Sequence, residues 1–147
     1  MFISDHFLLK YYFFMKNKHT TTAHAKHTLR YHIIFSTKFR RKCLDSIKND
    51  VFDSFRYGES ISDYKILNMN IDNDHIHFLM KWKPSLSIEQ VVRRMKQCST
   101  KYLWDKCDSY LNKVYWKRKQ IWTGGYFCST IGEVSESNII SYIENQG

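Results

Sequence analysis

The fold is decided by residues 64–82, which read YKILNMNIDNDHIHFLMKW. From Tyr64 to Ile71 the residue types alternate, with Leu67, Met69 and Ile71 facing one way and Asn68 and Asn70 the other. Asp72, Asn73 and Asp74 form a turn, because short polar side chains bond their own backbone and tolerate tight conformations. His75 to Trp82 supplies the paired strand of a β-hairpin. Ile76, Phe78 and Met80 are expected to enter the core. His75 and His77 share the opposite face, with Cα atoms about 6.5–7 Å apart, so both imidazoles can converge on one ion. Two histidines on the outer face of a strand are also common surface residues, and the pair alone leaves both readings open.

Outward from the hairpin, Thr28 to Ser36 is rich in β-branched and aromatic types and predicts a first strand. Ile47, Val51 and Phe55 recur every four residues, which predicts an amphipathic helix over Asp45 to Tyr57, ended by Gly58. Pro84 marks the exit from the hairpin. A second helix, from about Ser87 to Lys106, buries Val91, Val92, Met95, Tyr102 and Leu103; its other face carries Arg93, Arg94, Lys96 and Lys101. Tyr115 to Thr130 reads as strand with a break at Gly124-Gly125, and a short helix runs from Ser135, a good cap, to Gln146. The order β-α-β-β-α-β-α predicts an α+β sandwich of the ferredoxin-like (RRM-like) kind. Its antiparallel sheet carries helices on one face, and a C-terminal helix follows.

At 147 residues and 17.8 kDa there is room for one domain, and a chain of this size buries roughly 68–70% of its unfolded surface. With 43% hydrophobic residues, five Gly and one Pro, a collagen-like or wholly disordered chain is excluded. No apolar run reaches the roughly 18 residues of a membrane span. There is neither an internal repeat nor linker composition. Met1 to about Thr22 is read as an extension, because Asp5, His6 and Lys10 do not suit a signal peptide, and residues 23–147 as the single domain. Cys43, Cys98, Cys107 and Cys128 lack metal-ribbon spacing and are read as free thiols in a reducing cytoplasm.

The formal net charge of +9 suggests a polyanionic partner. Fourteen of the 23 basic residues lie in four windows without an acid: Lys38 to Lys42, Lys81 to Lys83, Arg93 to Lys101 and Lys113 to Lys119. Phe39, Trp82, Tyr102, Tyr115, Trp116 and Trp122 sit in or beside them. Rings next to cations suit single-stranded nucleic acid, whose bases can stack on them; a solvated basic surface over an aromatic core gives the same composition. In the closing helix Tyr142 and Gln146 are four apart and share a face, while Ile139 and Ile143 form a docking stripe. A tyrosine hydroxyl can act as a nucleophile and a glutamine carbonyl can ligate a metal, although a helix-surface tyrosine needs neither role.

Taken in order, five blocks are more telling than any one: Tyr31-His32-Ile33-Ile34-Phe35, Asp74-His75-Ile76-His77-Phe78-Leu79, Arg94-Met95-Lys96, Trp122 through Thr130, and Tyr142-Ile143-Glu144-Asn145-Gln146. In these the chain resembles the HUH-type single-tyrosine transposases of the IS-two-hundred-like bacterial insertion sequences, over about residues 27 to 146. The resemblance implies a metal-dependent enzyme that cleaves and rejoins single-stranded DNA. Tyr142 would be the nucleophile, leaving a 5′-phosphotyrosine link. His75, His77 and Gln146 would be the protein ligands of a Mg2+ or Mn2+ ion, although two imidazoles by themselves argue for zinc. It further implies a homodimer whose subunits share active sites, and binding of a subterminal DNA hairpin. The DNA backbone would lie on Arg93, Arg94, Lys96 and Lys101 and on Lys117, Arg118 and Lys119. Family members generally continue for a short stretch beyond the position of Gln146. Three alternatives remain at this level: a non-catalytic or decayed single-strand-binding protein, a domesticated enzyme that processes palindromes, and a metal-dependent phosphodiesterase that uses activated water and forms no covalent adduct.

Overall fold

The computed structural model of the chain describes residues 20–22, 25–27 and 29–131. Two short strands, β1 (Thr20–Thr22) and β2 (Ala25–His27), pair with each other across the expected end of the extension. The main sheet contains β3 (Arg30–Ser36), β4 (Tyr64–Asp72), β5 (His75–Trp82) and β6 (Phe127–Ile131) in the antiparallel order β4-β5-β3-β6. Between the strands lie α1 (Lys48–Ser60), α2 (Ile88–Lys106) and α3 (Asp108–Tyr115). The result is the expected α+β architecture with the hairpin strand β5 near its centre.

Position in the sheet explains which residues are buried. Ile33 and Phe35 of β3 and Ile76, Phe78 and Met80 of β5 join Val51 and Phe55 of α1 and Val92 and Met95 of α2 in one core. The rings of Phe55 and Phe78 meet edge to face at 4.6 Å, and Trp122 packs on Phe35 at 5.8 Å. The helices therefore cover the face opposite the histidines. β3 and β5 are buried on that other face too, where His32, Ile34, His77 and Leu79 lie. Helix α2 starts where Ser87 closes a reciprocal cap. The Gln90 backbone N–H donates to Ser87 Oγ at 3.1 Å, and the Ser87 backbone N–H to Gln90 Oε1 at 2.9 Å.

Four expectations need correction. Gly58 does not end α1, which runs on to Ser60 with Gly58 buried inside it. A Cβ there would lie 2.8 Å from Tyr64 Oη and 3.3 Å from Cys98 Cβ, so the glycine serves a close approach. In β4 the register shifts between Ile66 and Asn68. Leu67 is thus the extra residue of a bulge, and Tyr64, Ile66, Met69 and Ile71 pair opposite the core-facing residues of β5. Tyr115 ends helix α3 instead of opening a strand, because Leu111 and Tyr115 bury one helical stripe. The last sheet strand is confined to Phe127–Ile131. The predicted closing helix lies outside the described residues. All four cysteines are free thiols, and no helix among the described residues is long and apolar enough to cross a membrane.

Candidate functional site

The β4–β5 turn consists of Asn73 and Asp74 alone, so Asp72 pairs directly across from His75, and Asn70 from His77. Opposite residues of an antiparallel pair share a face. The register thus aims a carboxylate at the first histidine, and both imidazoles stand on the face away from the helices. His75 Nδ1 donates to Asp74 Oδ1 at 2.7 Å, and His75 Nε2 lies 2.9 Å from Asp72 Oδ2. The rings of His75 and His77 meet at 5.0 Å between centroids. One ligand atom each from Asp72, His75 and His77 falls within 4.8 Å of the others.

A third imidazole joins them from β3. His32 Nε2 and His77 Nδ1 are 3.2 Å apart, with the two rings nearly parallel at 5.5 Å. Phe127 stands edge-on to His32 at 5.8 Å. Burial first, and then the neighbouring imidazole, pulls the pKa of each ring down: His32 to about 4 under His77, and His77 to about 4 under His75. Both are therefore neutral near pH 7, the state in which a ring nitrogen can bind a metal. The bond from His75 Nδ1 to Asp74 leaves Nε2, which faces the Asp72 carboxylate, as the nitrogen an ion would take, the orientation usual for metal-binding histidines. The Asp74 carboxyl is held below its ordinary value, mainly by His75 and with help from Arg40 at 3.3 Å.

This donor set fits a divalent cation. Asp72 Oδ2 stands 2.9 Å from His75 Nε2, and one oxygen and two ring nitrogens are close enough together to share one ion. The carboxylate adds an oxygen ligand to the two nitrogens, a donor set that suits zinc, iron or manganese alike. Sequence reading identified His75 and His77 but treated Asp72 only as a turn former and His32 only as part of a strand. A two-residue turn, once counted, would have paired Asp72 with His75. His32 becomes visible only when the β3–β5 register is known. Tyr142 and Gln146 lie outside the described residues.

The predicted DNA-binding residues are dispersed. Helix α2 packs on the face away from the histidines, so Arg93, Arg94 and Lys101 are exposed on the far side of the molecule from them. Arg93 pairs with Glu89 at 3.4 Å and Lys101 with Asp105 at 3.0 Å, while Arg94 reaches Ser62 Oγ at 3.3 Å. Lys96 turns inward: Nζ donates to the carbonyls of Thr123 at 2.8 Å and Gly125 at 2.9 Å and lies 5.2 Å above the Phe35 ring. Lys117, Arg118 and Lys119 sit in the exposed segment after α3. By contrast, the window from Lys38 to Lys42 adjoins the site. Thr37 N–H donates to Asp74 O at 2.9 Å, and Arg40 donates to Ser36 Oγ at 2.9 Å.

Residues 25–146 match the family described as "Transposase IS200 like". The chain is 27% identical over 125 residues to the transposase for insertion sequence element IS200 of Salmonella typhimurium, covering 84% of this chain and 80% of that one. It is 24% identical over 119 residues to the ISDra2 transposase TnpA of Deinococcus radiodurans, covering 80% and 84%. Among solved structures it resembles a crystal structure from Deinococcus radiodurans R1 described as a candidate transposase. There the TM-score is 0.68 at 24% identity, over 88% of this chain and 98% of that one. A second similar structure is a REP-associated tyrosine transposase bound to a REP hairpin, with TM-score 0.53 at 10% identity over 88% and 72%. At these identities the structural likeness is one of fold.

Proposed function

The chain belongs to the IS200-like transposase family, and from that membership we propose that it cleaves and rejoins single-stranded DNA at insertion-sequence ends through a 5′-phosphotyrosine on Tyr142. The observation that carries the reading is the convergence of His75, His77 and Asp72 on one face of the central hairpin. His75, His77 and Gln146 are the protein ligands in this reading, with Asp72 as a further oxygen donor and Mg2+ or Mn2+ as the ion. When bound, such an ion neutralises charge on the scissile phosphate.

The chain's own residues do the rest. The Tyr142 phenolate oxygen attacks phosphorus, an O–P bond forms, and the bond from phosphorus to the 3′-oxygen breaks. The departing oxygen takes up a proton and becomes a 3′-hydroxyl. Because the phosphotyrosine keeps the diester's bond energy, the same steps in reverse join new ends without ATP. His32 and Asp74 hold the two histidine rings in orientation from behind. In this reading the working form is a homodimer in which the tyrosine of one subunit serves the histidines of the other, acting on DNA with a subterminal hairpin in a bacterial or archaeal cytoplasm. Arg93, Arg94 and Lys101, with Lys117 to Lys119, are assigned to DNA away from the cleavage point, and Lys96 is left to the fold.

The test is strand cleavage of end-labelled single-stranded oligonucleotides taken from the DNA flanking the gene. Cleavage is expected with Mn2+ or Mg2+, none with chelator, and none in His75→Ala or His77→Ala. Equal cleavage by the His77→Ala variant would contradict the assignment of the metal centre.

A further inference from the structure

The described residues with positive φ other than glycine number four, and they fall in two places: Phe39 and Arg40 (φ 59 and 53), and Trp116 and Lys117 (φ 49 and 65). A left-handed conformation costs a side-chain-bearing residue on the order of 1 kcal/mol or more and is kept where the surroundings or a function demand it. Each pair joins an aromatic to a cation. Phe39 is 64% exposed and Trp116 80%, so neither ring contributes to the core. Trp116 stands at the end of α3, where glycine is the usual residue.

The two turns are tied together. Tyr115, just before Trp116, donates its hydroxyl to the carbonyl of Lys38, just before Phe39, at 3.3 Å. The same hydroxyl reaches the carbonyl of Ile121 at 3.2 Å, and Lys38 N–H donates to that carbonyl at 2.7 Å. From the first turn a continuous path leads to the metal-binding face, because Arg40 bonds Asp74, which bonds His75. Two exposed rings on braced backbone, set among cations, with Lys38 Nζ 5.5 Å over one face of Phe39 and the Phe39 turn linked to His75 through Arg40 and Asp74, match what unpaired bases require. The rings take the flat base faces, and the cations take the phosphates between them.

We propose that Phe39 and Trp116 form a base-stacking platform that holds single-stranded DNA where it enters the histidine site. This rests on the proposed activity for its substrate class, but it adds two residues and a mode of contact that the activity does not require. A stacked base contributes about 1–3 kcal/mol, so each ring's loss weakens binding by roughly tenfold or more. No phosphate contact is removed, so the salt dependence stays the same.

The experiment uses the full chain with EDTA and a labelled oligo-dT of about 20 nucleotides, read by fluorescence anisotropy, with a duplex of equal length as control. Phe39→Ala and Trp116→Ala are expected to bind oligo-dT roughly tenfold more weakly, Phe39→Tyr and Trp116→Phe within about twofold of wild type, and duplex binding to be unchanged. Trp116 also reports directly, since Trp82, Trp104 and Trp122 are 5–7% exposed and only Trp116 is open to solvent. Acrylamide should quench its fluorescence in the free protein, and oligo-dT should protect it. Wild-type binding with no loss in either alanine variant, with equal loss on duplex, or with Trp116 still quenchable overturns the platform alone. No binding of oligo-dT by the wild type also overturns the platform, while the proposed activity stands or falls separately on cleavage of the flanking DNA.

Discussion

Asp72 lies within the turn-forming triplet of the sequence, yet its carboxylate meets His75 Nε2 at 2.9 Å. If it donates an oxygen to the ion, Asp72→Asn should weaken Mn2+ binding by about tenfold or more, as loss of a charged donor does. It should also tilt the site's preference toward Zn2+, because two nitrogens are left as the main donors. Titration followed by Mn2+ electron paramagnetic resonance reads both effects, and an unchanged Mn2+ affinity would remove Asp72 from the ligand set. At this scale the sequence was readable where period alone decides direction. Alternation sends Ile76, Phe78 and Met80 inward and puts His75 and His77 on one face. It was silent on His32, whose neighbour His77 is 45 residues away and comes close only through strand pairing.

Helix α2 shows how an element can mislead on charge. Its basic residues look alike in sequence, but Lys96 lies over Phe35 and ties down the loop from Thr123 to Gly125. Burial lowers its pKa from the ordinary lysine value. Lys96→Met should therefore destabilise the fold by about 1.5 kcal/mol, the lower end for hydrogen bonds from a charged donor, because the carbonyls it holds are partly exposed. Arg93→Ala and Lys101→Ala, which break only exposed pairs, should stay within about 0.5 kcal/mol. Urea unfolding separates the cases, and a Lys96→Met protein as stable as wild type would return Lys96 to the DNA-binding set.

Gly58 makes the companion case in α1. Alanine is the better helix former by about 1 kcal/mol, yet its methyl would meet Tyr64 Oη at 2.8 Å on a side chain buried in β4. The clash should win, with Gly58→Ala lowering the melting temperature; a rise would mean that Tyr64 moves aside freely. Neither role is visible in sequence, because both come from contacts between elements. Helix α3 was missed for a related reason. Tyr110, Val114 and Tyr115 carry β-favouring side chains, and burial of Leu111 and Tyr115 on one stripe overrode that preference.

At the scale of the molecule, the sheet order β4-β5-β3-β6 puts the two central strands where both of their faces are covered, and the histidines emerge from that rigid centre. The hairpin, α2 and the α+β class were legible because long periodic segments and a run of turn-forming polar residues specify them. The site's completion by Tyr142 and Gln146 belongs to the resemblance and lies outside the described residues. The proposed sharing of active sites makes a sharp demand on the assembly. His77→Ala and Tyr142→Phe proteins should each be inactive alone, yet regain cleavage when mixed and allowed to exchange subunits, since one of the two composite sites is then intact. A mixture that stays inactive after verified exchange would show that each subunit uses its own tyrosine.

The most direct test of the central claim is the covalent intermediate itself. The protein is incubated with Mn2+ and labelled single-stranded DNA spanning the element's ends, resolved on a denaturing gel, and the adducted peptide is identified by mass spectrometry. The account predicts a metal-dependent adduct through the 5′-phosphate on Tyr142, absent from Tyr142→Phe although that variant still binds the DNA. Cleavage without an adduct, or an adduct that survives Tyr142→Phe, would contradict it.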